Sequence, residues 1–164
     1  MIGIGSDHNG FQLKARLRAC LAARGEEIRD FGCFSPDPVD YPDIAGEVAE
    51  AVADVQIERA VLICCTVLGM AVAANKVPGV RAAMCYDLAT AKNSREHNDA
   101  NVLSLGAGLL GENLARQIVK TWLETPFGGG RHARRVEKIV DIELAKKYAR
   151  RRGTLVEARM RWLL

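Results

Sequence analysis

Short apolar runs alternate with longer segments of helical periodicity along most of this chain, and this alternation constrains the fold more than any other feature. The run AVLIC within residues 59–64 has no polar residue between its apolar ones, which is typical of a strand covered on both faces of a parallel sheet. Strands that alternate with helices pair in parallel through right-handed crossovers. The sequence therefore predicts an α/β fold, a three-layer α/β/α sandwich around a five-stranded parallel sheet of the Rossmann-like type.

The predicted elements follow one another without an internal repeat or a linker, so residues 1–164 are expected to form a single domain. The predicted strands cover residues 2–5, 27–31, 59–64, 80–85 and 101–105. The predicted helices cover residues 9–23, 44–55, 68–76, 87–96 and 112–122. A further helix is expected from Arg131 onward, with an apolar stripe formed by Val136, Ile139, Val140, Leu144 and Tyr148.

Composition places the chain among ordinary globular proteins, with 49% hydrophobic, 26% charged and 5% aromatic residues. Its apolar runs fall well short of the roughly 20 residues that span a bilayer, and its first residues lack the features of a secretory signal. We therefore expect a cytoplasmic protein that does not bind membranes. An odd number of cysteines without a CxxC spacing favours reduced thiols over disulfides or a metal site. They are Cys20, Cys33, Cys64, Cys65 and Cys85.

Asp7 and His8 follow the first predicted strand, and ligands of an open parallel sheet bind beyond the carboxyl ends of its strands. The nearby glycines invite comparison with a dinucleotide-binding fingerprint. The fingerprint, G-x-G-x-x-G, would need its last glycine at position 8. His8 stands there instead, and its ring would obstruct the pyrophosphate. The sequence also has no phosphate loop of the G-x-x-x-x-G-K-[ST] type. The residues alone leave open whether Asp7 and His8 are functional or are a helix-capping aspartate beside an exposed histidine.

Cys64 ends the most apolar predicted strand and leads directly into the helix predicted from Leu68. A helix N-terminus presents unpaired N–H groups and partial positive charge, which stabilise a thiolate or hold an oxyanion. A thiolate and N–H donors placed together in this way could move a proton on the carbon next to a carbonyl group. The alternative is that Cys64 is a small core residue, as an isolated buried cysteine usually is.

His97 lies within a polar and charged segment, residues 94–101, that immediately precedes an apolar strand. It is therefore expected at the amino edge of the sheet, opposite the edge from which Cys64 emerges. If both residues serve one site, a second subunit has to supply one of them. The alternative is a polar helix end.

Net charge is only +3, but a basic run begins at Arg131 and continues to Arg152. Arg131 and Arg135 lie four residues apart on one helix face, and two adjacent guanidinium groups suit a phosphate dianion. Nucleic acid is the competing partner for such a run. It is disfavoured because the apolar stripe predicts that one helix face is packed, and because no interleaved aromatic residues offer base stacking.

Six motifs in chain order resemble the ribose-5-phosphate isomerase type B and galactose-6-phosphate isomerase family over residues 1–142. They are GSDHNGFQLK, VDYPD, the strand ending in Cys64 with Thr66 and Gly69-Met70, AANKVPGVRAA, REHNDANVL and GGRHARRVEKI. The resemblance implies an aldose–ketose isomerase that acts on a sugar phosphate such as ribose 5-phosphate through an enediolate, without metal or cofactor. It also implies a homodimer with shared active sites, which could pair into a tetramer. Residues 131–164 are expected to form a C-terminal helical segment at the dimer interface, and residues 154–164 are apolar enough to pack either on the domain itself or on the partner subunit.

The resemblance implies a role for each matching residue. Cys64 would be the base that shuttles a proton between the first two sugar carbons, with Thr66 hydrogen-bonding near it. His97 would open the sugar ring with help from Asp7. Asn98 would hold a sugar hydroxyl, His8, Arg131 and Arg135 would bind the phosphate, and the backbone N–H groups of Cys65, Thr66, Val67, Leu68 and Gly69 would hold the enediolate oxygen.

Three positions depart from the family pattern. Cys65 and Val67 stand where the family usually has glycine, and Gly108 stands where it usually has arginine. The loop after Cys64 is therefore expected either to keep negative φ angles or to reshape its oxyanion pocket, since a left-handed backbone disfavours β-branched residues. Two alternatives stay open: an isomerase of a six-carbon or unphosphorylated sugar, and a non-catalytic sugar-phosphate-binding paralogue.

Overall fold

The structure is a computed structural model that describes residues 1–145. Within this range the strands are β1 (Ile2–Ser6), β2 (Ile28–Asp30), β3 (Arg59–Cys64), β4 (Ala82–Met84) and β5 (Val102–Gly106). The helices are α1 (Phe11–Ala23), α2 (Tyr41–Ala53), α3 (Leu68–Ala74), α4 (Leu88–Glu96), α5 (Glu112–Glu124) and α6, which covers 131–145. None of them is long and apolar enough to cross a membrane. Tyr148 and the rest of the predicted C-terminal segment lie outside the described residues.

The five strands form one parallel sheet in the order β2, β1, β3, β5, β4. The chain leaves β1 toward one side to form β2 and then returns to the other side to form β3. Such a switch of direction opens a crevice at the carboxyl ends of the two central strands. Ser6 pairs with Ile63 and Cys64 pairs with Gly106, so the segments that follow β1, β3 and β5 meet at this edge.

Helices cover both faces of the sheet, which confirms the predicted three-layer sandwich. Val61 and Ile63 of β3 face the core formed with α1, α4 and α5. Leu62 and Cys64 face the core formed with α2 and α3. Successive side chains of a strand point to opposite faces, and both faces are buried here, which explains why this strand shows no polar alternation.

Helix α2 begins earlier than the apolar periodicity of the sequence predicts. The helix begins at Tyr41, three residues before the predicted start, within the segment SPDPVDYPD. Pro42 and Asp43 occupy the first turn, where a missing N–H costs nothing and a negative charge is stabilised by the helix dipole. The end of this segment, although its composition is typical of a loop, therefore forms the first turn of a helix.

Lys14 is a charged residue in the interior, with an exposed fraction of 2%. Its Nζ donates to Oδ1 of Asp30 at 2.6 Å and to the carbonyl oxygen of Cys33 at 2.7 Å. Arg18 donates to the other carboxylate oxygen at 2.8 Å. Burial alone would raise the pKa of Asp30, but hydrogen bonds from Lys14 and from the N–H of Gly32 outweigh it and hold the pKa below its ordinary value. The Asp30 carboxylate therefore ties α1 to the end of β2.

We expect Asp30→Asn to lower the free energy of unfolding at neutral pH by about 3 kcal/mol, because it leaves the buried Lys14 charge uncompensated. The folded-state pKa of Asp30 lies below its unfolded value, so its contribution is present above the unfolded pKa and is lost as the pH falls through the folded pKa. The difference between variant and wild type should therefore narrow on acidification. Urea unfolding at several pH values measures it.

The control is Glu124→Gln, which breaks the exposed ion pair with Arg24. Such a surface pair contributes about 0–1 kcal/mol. Equal losses for the two variants, or a loss for Asp30→Asn that does not shrink in acid, would contradict a structural role for the buried pair.

Candidate active site

Asp7 and His8 lie just beyond β1, at the carboxyl edge of the sheet. The N–H of Asp7 donates to the carbonyl oxygen of Ile63 at 3.1 Å, which fixes this segment against β3. Asp7 is buried, and its Oδ1 accepts a hydrogen bond from the N–H of Gly10 at 2.9 Å. Asp7 therefore stabilises the turn that leads into α1, and this contact leaves its second carboxylate oxygen available.

His8 faces a cavity of about 310 Å³, whose lining includes Gln12, Arg16 and Glu112. Its Nδ1 accepts from the N–H of Val39 at 3.3 Å, and its Nε2 lies 3.1 Å from the side-chain nitrogen of Asn9. Arg16 is paired with Glu112 within the same lining. The cavity is polar and lies at the edge where the crevice was expected.

Cys64 is the last residue of β3 and has an exposed fraction of 4%. Its side chain belongs to the core between the sheet and helices α2 and α3. Within residues 1–145, the backbone N–H groups of Cys65, Thr66 and Val67 have no hydrogen-bond acceptor. A buried thiol is thus followed by three N–H donors that have no acceptor in the part of the chain that the structure describes.

Val67 has φ 69° and ψ −27°, the left-handed region, whereas Cys65 keeps a negative φ. Of the two positions where the family usually has glycine, one therefore keeps a negative φ, as expected, and the other adopts the left-handed conformation without a glycine. Left-handed backbone costs a non-glycine residue roughly 1–2 kcal/mol. Burial of the Val67 side chain and a hydrogen bond from Oγ of Ser104 to the Val67 carbonyl oxygen at 3.0 Å help to hold this conformation.

Two departures from the family pattern, Cys65 and Gly108, are in contact. A Cβ at position 108 would lie 3.2 Å from both the carbonyl oxygen and Sγ of Cys65. The N–H of Gly108 also donates to that carbonyl oxygen at 3.0 Å. A side chain at position 108 would therefore be in tight contact with Cys65, so the glycine at 108 suits the cysteine at 65.

Tyr41 was not predicted as a site residue, although it lies in the VDYPD motif. Its ring lies so close to Gly69 that a Cβ on this glycine would come within 2.7 Å of two ring carbons. Tyr41 is partly exposed. The ring therefore borders the turn that follows Cys64, and the contact between the two motifs could not be inferred from their spacing in sequence.

His97 caps the C-terminus of α4, and Asn98 follows it as an exposed residue. The imidazole of His97 stacks on that of His132, with the ring centroids 4.3 Å apart and the planes 7° apart. Partial burial, followed by the nearby positive groups of His97, Arg131 and Arg135, lowers the pKa of His132 below its ordinary value. The sequence did not predict His132 as a site residue, because the spacing of the basic motif points to Arg131 and Arg135 and gives no signal for the histidine between them.

Arg131 and Arg135 are exposed in the first turns of α6, close to this histidine pair. The structure therefore divides the predicted site residues between two places. Asp7, His8, Cys64 and the loop to Gly69 lie at the carboxyl edge, whereas His97, Asn98, Arg131 and Arg135 lie at the amino edge. Since β5 holds five residues, the edges are separated by roughly 16 Å at about 3.3 Å per residue. One sugar phosphate cannot contact both edges of a single chain.

Between residues 1 and 145, no group of three or more His, Cys, Asp or Glu side chains is arranged to hold a metal ion.

A family model described as Ribose/Galactose Isomerase matches residues 2–139. The chain belongs to this family. Membership confirms the family predicted from the six motifs and the predicted enzyme class, an isomerase.

Solved structures and curated relatives of the family agree with this assignment. Ribose-5-phosphate isomerase B of Clostridium thermocellum is 54% identical, with a TM-score of 0.87 over 90% of this chain and 98% of that one. Ribose-5-phosphate isomerase B of Escherichia coli is 46% identical over 87% of this chain and 95% of its own length. A D-erythrulose-4-phosphate isomerase of Pectobacterium atrosepticum is 39% identical over 90% and 97% of the two chains. Similar relatives thus carry names with different sugar phosphates.

Proposed function

We propose that this protein interconverts an aldose phosphate and a ketose phosphate, with ribose 5-phosphate and ribulose 5-phosphate as the leading pair, through an enediolate and without metal or cofactor. The observation that carries the proposal is Cys64 at the end of a buried strand, followed by three N–H groups with no acceptor among residues 1–145. A base beside unoccupied donors is the arrangement that an enediolate requires.

In the proposed reaction, the Cys64 thiolate takes the proton from C2 of the open-chain aldose. The carbonyl oxygen on C1 gains negative charge, and the backbone N–H groups from Cys65 to Gly69 stabilise it, with Thr66 hydrogen-bonding nearby. The proton of the O2 hydroxyl then passes to O1, and the Cys64 thiol returns its proton to C1, which gives the ketose and restores the thiolate. Positioned acid–base groups typically supply about 10²–10⁴-fold in rate and an oxyanion donor another 10²–10³-fold.

Ring opening is assigned to His97. Its imidazole would exchange a proton with the ring oxygen and the anomeric hydroxyl, assisted by Asp7, while Asn98 holds a sugar hydroxyl. His97 and Asn98 belong to the amino edge, and Asp7 and Cys64 belong to the carboxyl edge. The assignment therefore requires two chains at each site.

A homodimer is the assembly we propose. A two-fold interface uses the same surface of both chains, so each copy can place its amino edge over the carboxyl edge of the other and form two equal sites. Large apolar side chains are exposed on α3 and around β4, where such contacts could form. They include Leu68, Val72, Met84 and Tyr86.

The phosphate of the substrate is assigned to His8, Arg131 and Arg135. His8 lies at the carboxyl edge and the arginines at the amino edge, so phosphate binding would also join the two subunits. Gly108 supplies no guanidinium, and the loss of one charge-assisted hydrogen bond costs about 1.5–3 kcal/mol. Because this departure lowers the expected affinity for the phosphate group, sugars of other lengths and unphosphorylated sugars should also be tested as substrates.

A second candidate function is that of a non-catalytic paralogue that binds sugar phosphates. The observation in its favour is the left-handed Val67 within the donor loop, because a bulky side chain there narrows the space in which the loop can adjust to an oxyanion. The predicted cytoplasmic location stays a prediction under either function.

A turnover panel separates the candidates. Purified protein is incubated with ribose 5-phosphate, allose 6-phosphate, erythrulose 4-phosphate and free ribose, and interconversion is followed by NMR. We expect ribose 5-phosphate to be converted fastest. Conversion of another sugar alone would revise the substrate, and measurable binding of any of them without conversion would support the paralogue.

A further inference from the structure

The glycine loop before α6 is docked onto the end of α4. The N–H of Gly128 donates to the carbonyl oxygen of Glu96 at 2.9 Å. A Cβ at position 128 would lie 2.9 Å from the same oxygen, so only glycine permits this approach. Gly129 and Gly130 have φ values of 59° and 54°, which turn the chain into α6 with its second residue, His132, over His97.

The ring of His97 is in contact with the ring of His132, on which it stacks. Within residues 1–145, neither ring nitrogen of His97 has a hydrogen-bond partner. An acid–base histidine is normally oriented by a hydrogen bond to its second nitrogen. Here the ring of His97 has instead a near-parallel ring, that of His132, 4.3 Å away.

His132 itself is poorly suited to donate or accept protons at this position. Its Nδ1 is buried and has no hydrogen-bond partner in the described part of the chain. Its lowered pKa favours the neutral ring, which can stack on His97 whether or not His97 carries a proton, whereas two cationic rings would repel. Arg131 and Arg135 add positive charge around the pair and Glu96 partly opposes it.

We propose that His132 is a positioning residue for ring opening, whose imidazole holds the ring of His97 in the orientation from which it exchanges a proton with a cyclic sugar. The proposal rests on the proposed function, because ring opening is the step assigned to His97. It predicts an effect confined to substrates that form rings.

The two sugars of the leading pair differ in this respect. Ribose 5-phosphate closes through its C4 hydroxyl into a five-membered ring. Ribulose 5-phosphate cannot close in this way, because the only hydroxyl at the required distance from its C2 carbonyl is esterified with phosphate. Both sugars carry the same phosphate, so a loss of phosphate binding would affect both.

We expect His132→Ala to lower kcat on ribose 5-phosphate by roughly 10- to 100-fold, since small misplacements of a catalytic group have effects of this order. Initial consumption of ribulose 5-phosphate should fall by less than about 3-fold, since the open-chain aldose can leave and close in water without catalysis. His132→Phe keeps a flat ring on His97 and should retain more activity on ribose 5-phosphate than the alanine variant. Arg134→Ala, an exposed neighbour on α6, is the matched control.

A second measurement does not depend on turnover. Stacking shifts the ring C–H resonances of His97 upfield through the ring current of His132, so these signals should move downfield in His132→Ala and remain near their wild-type positions in His132→Phe and Arg134→Ala. Equal losses on both sugars, or no loss on ribose 5-phosphate, would overturn the positioning role. If the wild type converts neither sugar, the proposed function fails and the role in ring opening fails with it, while unmoved His97 signals would refute the stack alone.

Discussion

Replacement of Cys64 by alanine is expected to lower kcat by about 10²- to 10⁴-fold, the range that a positioned acid–base group supplies. The thiolate of Cys64, the last residue of β3, is the proposed carrier of the proton between C1 and C2. Affinity for ribose 5-phosphate should change little, because the proposed binding contacts lie on other residues. Turnover assays and calorimetric titration measure the two quantities.

Cys20→Ala provides the control for this experiment. Cys20 is a partly buried thiol on α1 beside an apolar pocket formed with α5, away from the carboxyl edge. It should keep wild-type kcat, and comparison of the melting temperatures of both variants excludes unfolding as the cause of a loss. Turnover retained in Cys64→Ala would remove Cys64 from the role of base and with it the central step of the proposed reaction.

A mixture of two inactive variants is expected to recover activity. Cys64→Ala and His97→Ala each disable every site of their own homodimer for the conversion of ribose 5-phosphate. In the proposed dimer, one site takes Cys64 from one chain and His97 from the other. After mixing and subunit exchange, each mixed dimer contains one site with both residues intact and one with both replaced. Random pairing makes half of the dimers mixed, so the activity should reach about a quarter of that of the wild type.

Two outcomes would contradict a shared site. If each chain forms a complete site by itself, the mixture stays as inactive as its components. If the protein is a monomer in solution, as sedimentation would reveal, the residues at the two edges cannot meet and no recovery is possible. The control is the double variant Cys64→Ala/His97→Ala mixed with an equal amount of wild type. With shared sites, every site of a mixed dimer lacks either Cys64 or His97, so activity should fall to that of the remaining wild-type dimers, about a quarter of all dimers at random pairing.

Much of the fold was predictable because it depends on patterns that are local in sequence. The apolar run of β3 has the predicted boundaries, Arg59–Cys64, since a strand buried on both faces leaves an unbroken apolar signature. The place of His97 opposite Cys64 followed from strand direction alone. The predicted helix boundaries were less accurate where a segment of loop-like composition forms the start of a helix, as at Tyr41.

The family could be determined from the sequence, and the residues proposed to carry the chemistry were also selected from it, because side-chain chemistry and motif order are properties of the chain itself. Only the tertiary structure decided the left-handed Val67, the contact between Cys65 and Gly108, and the stack of His132 on His97. Each depends on atoms that folding brings together from distant segments, and a one-dimensional pattern carries no information about such contacts. The sheet places the predicted site residues at its two edges, and packing between loops fixes their surroundings there.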